Sequence, residues 1–219
     1  MYFPNYQINS FYDNPDEIVH YSKSLNFEKS DTGRYPGIRS QSLHEINDDL
    51  FTYSCQKVLK SIYGPSYKEV SFIAQNYFQL INPNDLKENE SQGWIHVDPD
   101  SILTSIIYLS KDVKKAGTSL YTAKSEGKGV INSNSELRKQ YYLDGIVAEN
   151  YKEKLIENND RFEKLATFYS KYNSMIAFDG SNFHGANFDL QNETRLTQII
   201  FFYEINANYY PYPEIRKPF

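Results

Sequence analysis

The sequence predicts a mainly β chain of the α+β class, with two helices on the N-terminal side of a core of strands. Three observations carry that prediction. Helical periodicity is confined to the first 62 residues or so of the 219. From Tyr67 onward the pattern changes to runs of β-branched and aromatic residues separated by turn-forming ones. The chain has 20 Tyr and 14 Phe against only 10 Gly, which suits packed strands better than low-complexity repeats.

The elements follow in order. Asp13 or Asn14 can cap a first helix, with Pro15 in its opening position and Asp16 and Glu17 in its first turn, running through EIVHYSKSLNF. The segment SDTGRYPGIRSQS reads as a loop. A second helix is expected over Leu43–Ile62, where Leu43, Ile46, Leu50, Val58, Leu59 and Ile62 mark an apolar face. His20 and His44 read as ordinary helix-surface residues. Strands are then expected in KEVSFIAQNYFQLI, ILTSIIYLS, TSLYTA, RFEKLATFYS, NSMIAFDG and TRLTQIIFFYEI. A polar, partly helical insertion over 125–160 separates the third and fourth of these, and 207–219 form a Pro-broken tail. The whole chain, 1–219, reads as one domain, with a helical segment over 1–66 and a β core over 67–206.

Composition narrows the function. The net charge of −5 is spread over interspersed signs with no basic stripe, so a nucleic-acid partner is not expected. The first residues carry neither a positive n-region nor an apolar h-region, and no stretch reaches about 18 apolar residues. The expectation is therefore a cytoplasmic protein with no membrane partner. Its single cysteine, Cys55, cannot form an internal disulfide and reads as a structural thiol in a reducing compartment.

The chemistry is concentrated in a few positions. The stretch WIHVD places His96 and Asp98 two residues apart, on one face of any extended strand. The fourth histidine, His184, stands in FDGSNFHGAN, at a strand end or tight loop marked by Gly180, Ser181 and Asn182. Arg195 opens an otherwise apolar strand, an expensive place for a guanidinium unless an anion meets it, and period 2 puts Thr197 on the same face. Two imidazoles and one carboxylate make the facial set that holds iron(II) with three coordination positions left open. A 2-oxo acid can chelate two of them and dioxygen can take the third, while Arg195 and Thr197 supply a bidentate cation and a hydroxyl for the far carboxylate.

His96-x-Asp98, His184 and Arg195-x-Thr197 resemble the signature of the iron(II)/2-oxoglutarate-dependent oxygenases, and the surrounding chain resembles their prolyl-hydroxylase-like branch, especially its small bacterial and viral members. The likeness runs over about residues 70 to 205, through HVDPDSILTSIIYLSKDVKKAGTSLYTAK, RFEKLATFYSKYNSMIAFDGSNFHG and RLTQIIFF. It implies a double-stranded β-helix, a jelly-roll barrel with the metal in its mouth and the N-terminal helices packed on it. It gives Fe(II) to His96, Asp98 and His184, and the C5 carboxylate of 2-oxoglutarate to Arg195, with Thr197 and Tyr108 as helpers. Ala116-Gly117 stands where relatives usually carry Gly-Gly. Gln79 and Tyr77 are both candidates for the residue beside the C1 carboxylate.

The activity so implied is hydroxylation of a C–H bond with O2, 2-oxoglutarate leaving as succinate and CO2. Asp98 argues against halogenation, because halogenating relatives have a small residue in its place. The substrate is a small molecule or a protein side chain, and the 125–160 insertion and the loop NPNDLKENESQGW are the segments expected to select it. Trp94 reads equally as a substrate-stacking ring or a core anchor. Two other classes use the same residues: a zinc hydrolase built on the His-Asp-His set, and a jelly-roll binding or structural protein with a Tyr-rich surface.

Overall fold

The structure, a computed structural model, describes residues 3–29, 35–86, 92–111, 113, 115–124, 151–190 and 192–208. Two antiparallel sheets face one another. The larger has seven strands in the order β1-β8-β5-β10-β4-β3-β2, and the smaller has three in the order β7-β6-β9. In chain order these strands are β1 (Tyr6–Ile8), β2 (Phe27–Lys29), β3 (Ile38–Ser40), β4 (Ser71–Ile81), β5 (Leu103–Tyr108), β6 (Gly117–Ala123), β7 (Phe162–Tyr169), β8 (Ser174–Phe178), β9 (Phe183–Asn187) and β10 (Arg195–Asn206). The helices are α1 (Pro15–Ser22), α2 (Leu43–Ile46), α3 (Asp48–Tyr63) and α4 (Tyr151–Asn159). This is the jelly-roll architecture expected from the sequence.

Alternation along the central strands makes two cores. Leu103, Ile107, Leu196, Ile200 and Phe202 turn to the outer face of the large sheet, where they pack with Leu43, Phe51, Cys55, Val58, Leu59 and Ile62 of α2 and α3. Ile106, Tyr108, Ile176, Phe178 and Ile199 turn inward and meet Leu120 of the small sheet. Strands buried on both faces have no polar side to show, which is why IIYLS and QIIFF read as continuous apolar runs. A buried polar chain fastens α3 to the sheet. The Tyr12 hydroxyl donates to Gln198 (2.6 Å), the Gln198 amide to Asn76 (3.1 Å), and the Asn76 amide to Ser54 (2.7 Å).

The main departures from expectation are local. The first helix ends at Ser22 rather than continuing through NF, and Phe27 begins β2 instead. The second helix is split at Asn47, whose side chain accepts the Leu50 N–H at 3.0 Å and caps α3. The first 66 residues hold β1, β2 and β3 as well as helices, so they extend both edges of the large sheet. The HGAN segment, expected at a strand end or tight loop, is part of β9. Of the 125–160 insertion, 125–150 lie outside the described residues and 151–159 are α4; the tail from 209 also lies outside them. Among the described residues, no helix is long and apolar enough to cross a membrane.

Candidate metal and oxo-acid site

His96 and His184 come from opposite ends of the chain's core and meet in an isolated antiparallel bridge. The His96 N–H donates to the His184 carbonyl at 2.9 Å, and the His184 N–H to the His96 carbonyl at 2.8 Å. A second bridge, Gln92 with Asn187, lays residues 92–96 along β9 as an irregular further strand of the small sheet. Each ring is tethered by its own backbone: Nδ1 of His96 donates to the Trp94 carbonyl (2.8 Å) and Nδ1 of His184 to the Asn182 carbonyl (2.9 Å). A carbonyl can only accept, so both rings carry a proton on Nδ1, and Nε2 is the nitrogen left to face the site.

Both Nε2 atoms face Asp98. His184 Nε2 lies 3.4 Å from Oδ2 and His96 Nε2 lies 3.7 Å from Oδ1. The candidate ligand atoms of His96, Asp98 and His184 all fall within 4.8 Å of one another. Donors bound at about 2.1 Å in adjacent octahedral positions sit about 3 Å apart, so a small contraction around an ion brings this set to ligation distance. Thr104 donates its hydroxyl to Asp98 Oδ2 at 2.9 Å, which fixes the carboxylate plane. Burial alone would raise the Asp98 carboxyl, but the imidazoles of His184 and His96 and the Thr104 hydrogen bond hold it well below the usual carboxylate range.

Neighbouring turns place these ligands. The Asp98 N–H donates to the Gly180 carbonyl at 2.9 Å. A Cβ on Gly180 would lie 1.8 Å from the Ser101 carbonyl oxygen, so only glycine admits this approach. Asp179 accepts from the Ser181 N–H (2.9 Å) and hydroxyl (2.6 Å), and its other oxygen accepts from the Phe3 N–H (2.8 Å). This closes the turn before His184 and ties the start of the described chain to it.

On its other side the 93–96 segment meets the end of α4. Asn159 accepts the Ile95 N–H at 3.0 Å and donates to the Gly93 carbonyl at 3.1 Å, while Asn158 donates to the Ile95 carbonyl at 3.1 Å. Side-chain amides here stand in for a neighbouring strand. Sequence reasoning missed this pair, because an Asn-Asn at a helix end carries no signal beyond ordinary capping.

The other half of the site lies along the inner face of the large sheet. Thr104, Ile106 and Tyr108 of β5 stand opposite Phe201, Ile199 and Thr197 of β10, and directly opposed residues share a face. The row therefore runs from the Asp98 end at Thr104 to Tyr108 and Thr197, with Arg195 next beyond. Arg195 is 3 % exposed and its guanidinium carbon is 5.6 Å from the Tyr108 ring centroid. Its Nε and the Thr197 hydroxyl are buried with no hydrogen-bond partner. Such orphans cost about 1–3 kcal/mol each, which an anion in this place would recover. Burial holds the Arg195 pKa below its ordinary value, against the opposing influence of Tyr108. The Tyr108 hydroxyl is itself donated to Thr118 at 3.0 Å.

Of the remaining candidates, Gln79 donates its amide to the Pro36 carbonyl at 2.6 Å and serves the 35–37 loop. Tyr77 is half-buried one row nearer to Asp98, opposite Ile199. The Trp94 ring is buried, in keeping with the core-anchor reading, and its carbonyl holds His96. His44 is an exposed residue paired with Asp48 at 2.8 Å, and His20 is exposed.

The sequence matches the model of DUF6445, described as a family of unknown function, over residues 3–200. The chain belongs to the DUF6445 family. No curated protein matches it. Solved structures similar to this DUF6445 member include HygX from Streptomyces hygroscopicus, crystallised with nickel and 2-oxoglutarate, at 8 % identity and a TM-score of 0.57, covering 94 % of this chain and 83 % of that one. A second is the epimerase SnoN in complex with Fe3+, alpha ketoglutarate and nogalamycin RO, at 8 % identity and a TM-score of 0.54, covering 93 % and 80 %. A third is EvdO2 from Micromonospora carbonacea var. aurantiaca, at 9 % identity and a TM-score of 0.50, covering 98 % and 92 %. At such identities the likeness shows that the DUF6445 fold is theirs.

Proposed function

We propose that this DUF6445 member is an iron(II)- and 2-oxoglutarate-dependent dioxygenase that hydroxylates a C–H bond of a small molecule or protein side chain. The observation that carries the reading is the pairing of two features on one inner wall: three convergent donors at one end, and a buried Arg195 Nε and Thr197 hydroxyl without partners at the other. A zinc hydrolase would use the first and leave the second unexplained. The order of the motifs within HVDPDSILTSIIYLS and RLTQIIFF supports the prolyl-hydroxylase-like branch.

In this reading His96 and His184 offer Nε2, and Asp98 offers one oxygen while Thr104 holds the other. Arg195 and Thr197 take the C5 carboxylate of 2-oxoglutarate, with the Tyr108 ring beside the guanidinium. Ile106, Ile176 and Ile199 line the wall between the two ends and exclude water from it. When bound, iron(II) supplies the coupling of O2 reduction to decarboxylation of 2-oxoglutarate, giving succinate, CO2 and a hydroxylated product.

The test is optical. Anaerobic protein given iron(II) and 2-oxoglutarate should develop a weak visible charge-transfer band, which zinc with its filled d shell cannot produce. Admitting air should bleach the band with formation of succinate. Absence of the band with iron confirmed bound would overturn the proposal.

A further inference from the structure

The inner wall of the large sheet is closed on its β8 side and opens on its β4 side, where two aromatic rings serve neither the metal donors nor the Arg195 end. Two rows of residues cross the wall. One runs Phe178, Thr104, Phe201 and Gln75, each directly opposite the next on β8, β5, β10 and β4. The other runs Ile176, Ile106, Ile199 and Tyr77 across the same strands. Directly opposed residues share a face, so all eight belong to the inner wall. Exposure rises along both rows: Phe178 and Ile176 are buried, Phe201 and Tyr77 are half-buried, and Gln75 is exposed.

The first row starts at the metal donors. Phe178 lies against His184, with 4.8 Å between ring centroids, and Thr104 holds Asp98 at 2.9 Å. Phe201 is the next residue in that row, so its ring stands beside the side chain that fixes a ligand. Neighbouring groups steady this part of the wall. Tyr203, in the bulge that follows Phe202, donates its hydroxyl to Gln75 at 2.6 Å and ties β10 to β4 at the outer end. Arg39 of β3, opposite Gln79 and therefore on the inner face, packs its guanidinium on Tyr35 at 3.9 Å. The same guanidinium carbon lies 5.4 Å from the Phe201 ring centroid and 5.7 Å from that of Tyr77, which steadies both rings from the β3 side. From the small sheet, Leu120 meets the same cluster. Facing sheets stand about 10 Å apart between backbones, so the gap over the rings admits a flat molecule and not a second polypeptide backbone with its side chains.

We propose that Phe201 and Tyr77 form the subsite for the prime substrate, an aromatic small molecule whose ring lies on this shelf with a ring-attached carbon reaching toward the metal donors. Aromatic faces prefer offset or edge-on contact with another ring, a preference that a saturated ring cannot share. The assignment rests on the oxygenase reading above and adds to it the class of substrate and its side of approach. It places the cosubstrate's carboxylate and the substrate's ring at opposite ends of the β10 inner face, at Arg195 and at Phe201.

Manganese(II) at the triad, with saturating 2-oxoglutarate, makes the site a relaxation probe. The test molecules are benzyl alcohol and cyclohexylmethanol, alike in size and hydroxyl, one with a flat ring and one without. Wild-type protein should broaden the ring protons of benzyl alcohol about fivefold more than those of cyclohexylmethanol. Phe201→Leu and Tyr77→Leu keep an apolar side chain and lose the ring, so each should remove most of that difference. Phe201→Tyr and Tyr77→Phe keep the ring and should keep the difference, and 2-oxoglutarate affinity should stay at the wild-type value in all four. Circular dichroism checks that each variant is folded. Equal broadening of the two alcohols by wild type, or none of either, overturns the aromatic class. An undiminished difference in both leucine variants overturns the shelf, and so does a loss of 2-oxoglutarate affinity in them, which would give the rings to the cosubstrate. Failure of manganese to bind, or to broaden 2-oxoglutarate in wild type, instead overturns the oxygenase reading and the subsite with it.

Discussion

Asn159 hydrogen-bonds to both sides of the peptide plane of its neighbour segment, accepting the Ile95 N–H at 3.0 Å and donating to the Gly93 carbonyl at 3.1 Å. A strand neighbour would make the same two contacts, and they fall immediately before His96. Asn159→Ala should therefore loosen His96 and weaken metal binding roughly 10-fold to 100-fold, the usual range for groups that orient ligands. Asn159→Asp keeps the acceptor and loses the donor, so it should fall between. Calorimetric titration with manganese(II) reads both, and unchanged affinity in Asn159→Ala would refute the positioning role.

His96→Ala, Asp98→Ala and His184→Ala should each abolish tight metal binding and leave the far-ultraviolet spectrum unchanged. The core of α2, α3 and the outer sheet face does not include these side chains, so the scaffold stands without them. Metal content after dialysis, beside circular dichroism, checks the outcome; wild-type metal content in all three would remove the triad.

Arg195→Met should leave metal binding intact and weaken 2-oxoglutarate by more than about tenfold, because a charge-assisted pair is worth about 1.5–3 kcal/mol. Arg195→Lys should recover part of this, since an ammonium keeps the charge and loses the fork. Titration of 2-oxoglutarate into manganese-loaded protein measures it. Wild-type affinity in Arg195→Met would take the cosubstrate away from this residue.

Cys55 is fully buried on α3, and desolvation pushes its thiol up to about 12 in spite of a hydrogen bond with Asn76. Its unfolded value is about 8.5. Above that pH the unfolded chain releases a proton that the folded chain keeps, so stability falls with rising pH until the folded thiol also ionises, the window from about 8.5 to 12. The loss should reach roughly 1–2 kcal/mol by about pH 10. Cys55→Ala should flatten that slope in urea melts at about pH 8 and 10, and native protein at about pH 8 should not react with iodoacetamide.

Legibility in the sequence followed the range of the signal. His96-x-Asp98 is readable because period 2 is local, and Arg195 is readable because a charge interrupts an apolar run. The long strands β4, β5 and β10 announce themselves through apolar content. Three-residue strands such as β1 and β3 do not: they are strands only because β8 and β4 present free ladder positions to them. GIRS reads as a loop for that reason, and the inward course of Arg39 is hidden with it. The HGAN part of β9 is similarly masked by residues that favour turns, and pairing with β6 overrides their preference. Asn158 and Asn159 gain their role from a segment more than sixty residues away, |i−j| being 63 to 66 for these contacts, which no local window contains.

The bridge between His96 and His184 also sets a sequence of events during synthesis. His96 and Asp98 leave the ribosome long before His184, and in the folded chain the third donor stands beside them where β9 pairs with β6 and the turn at Gly180 meets Ser101. A nascent chain that stops short of β9 has two of the three candidate donors and no more. The three-donor set is thus complete only in a chain whose barrel has closed.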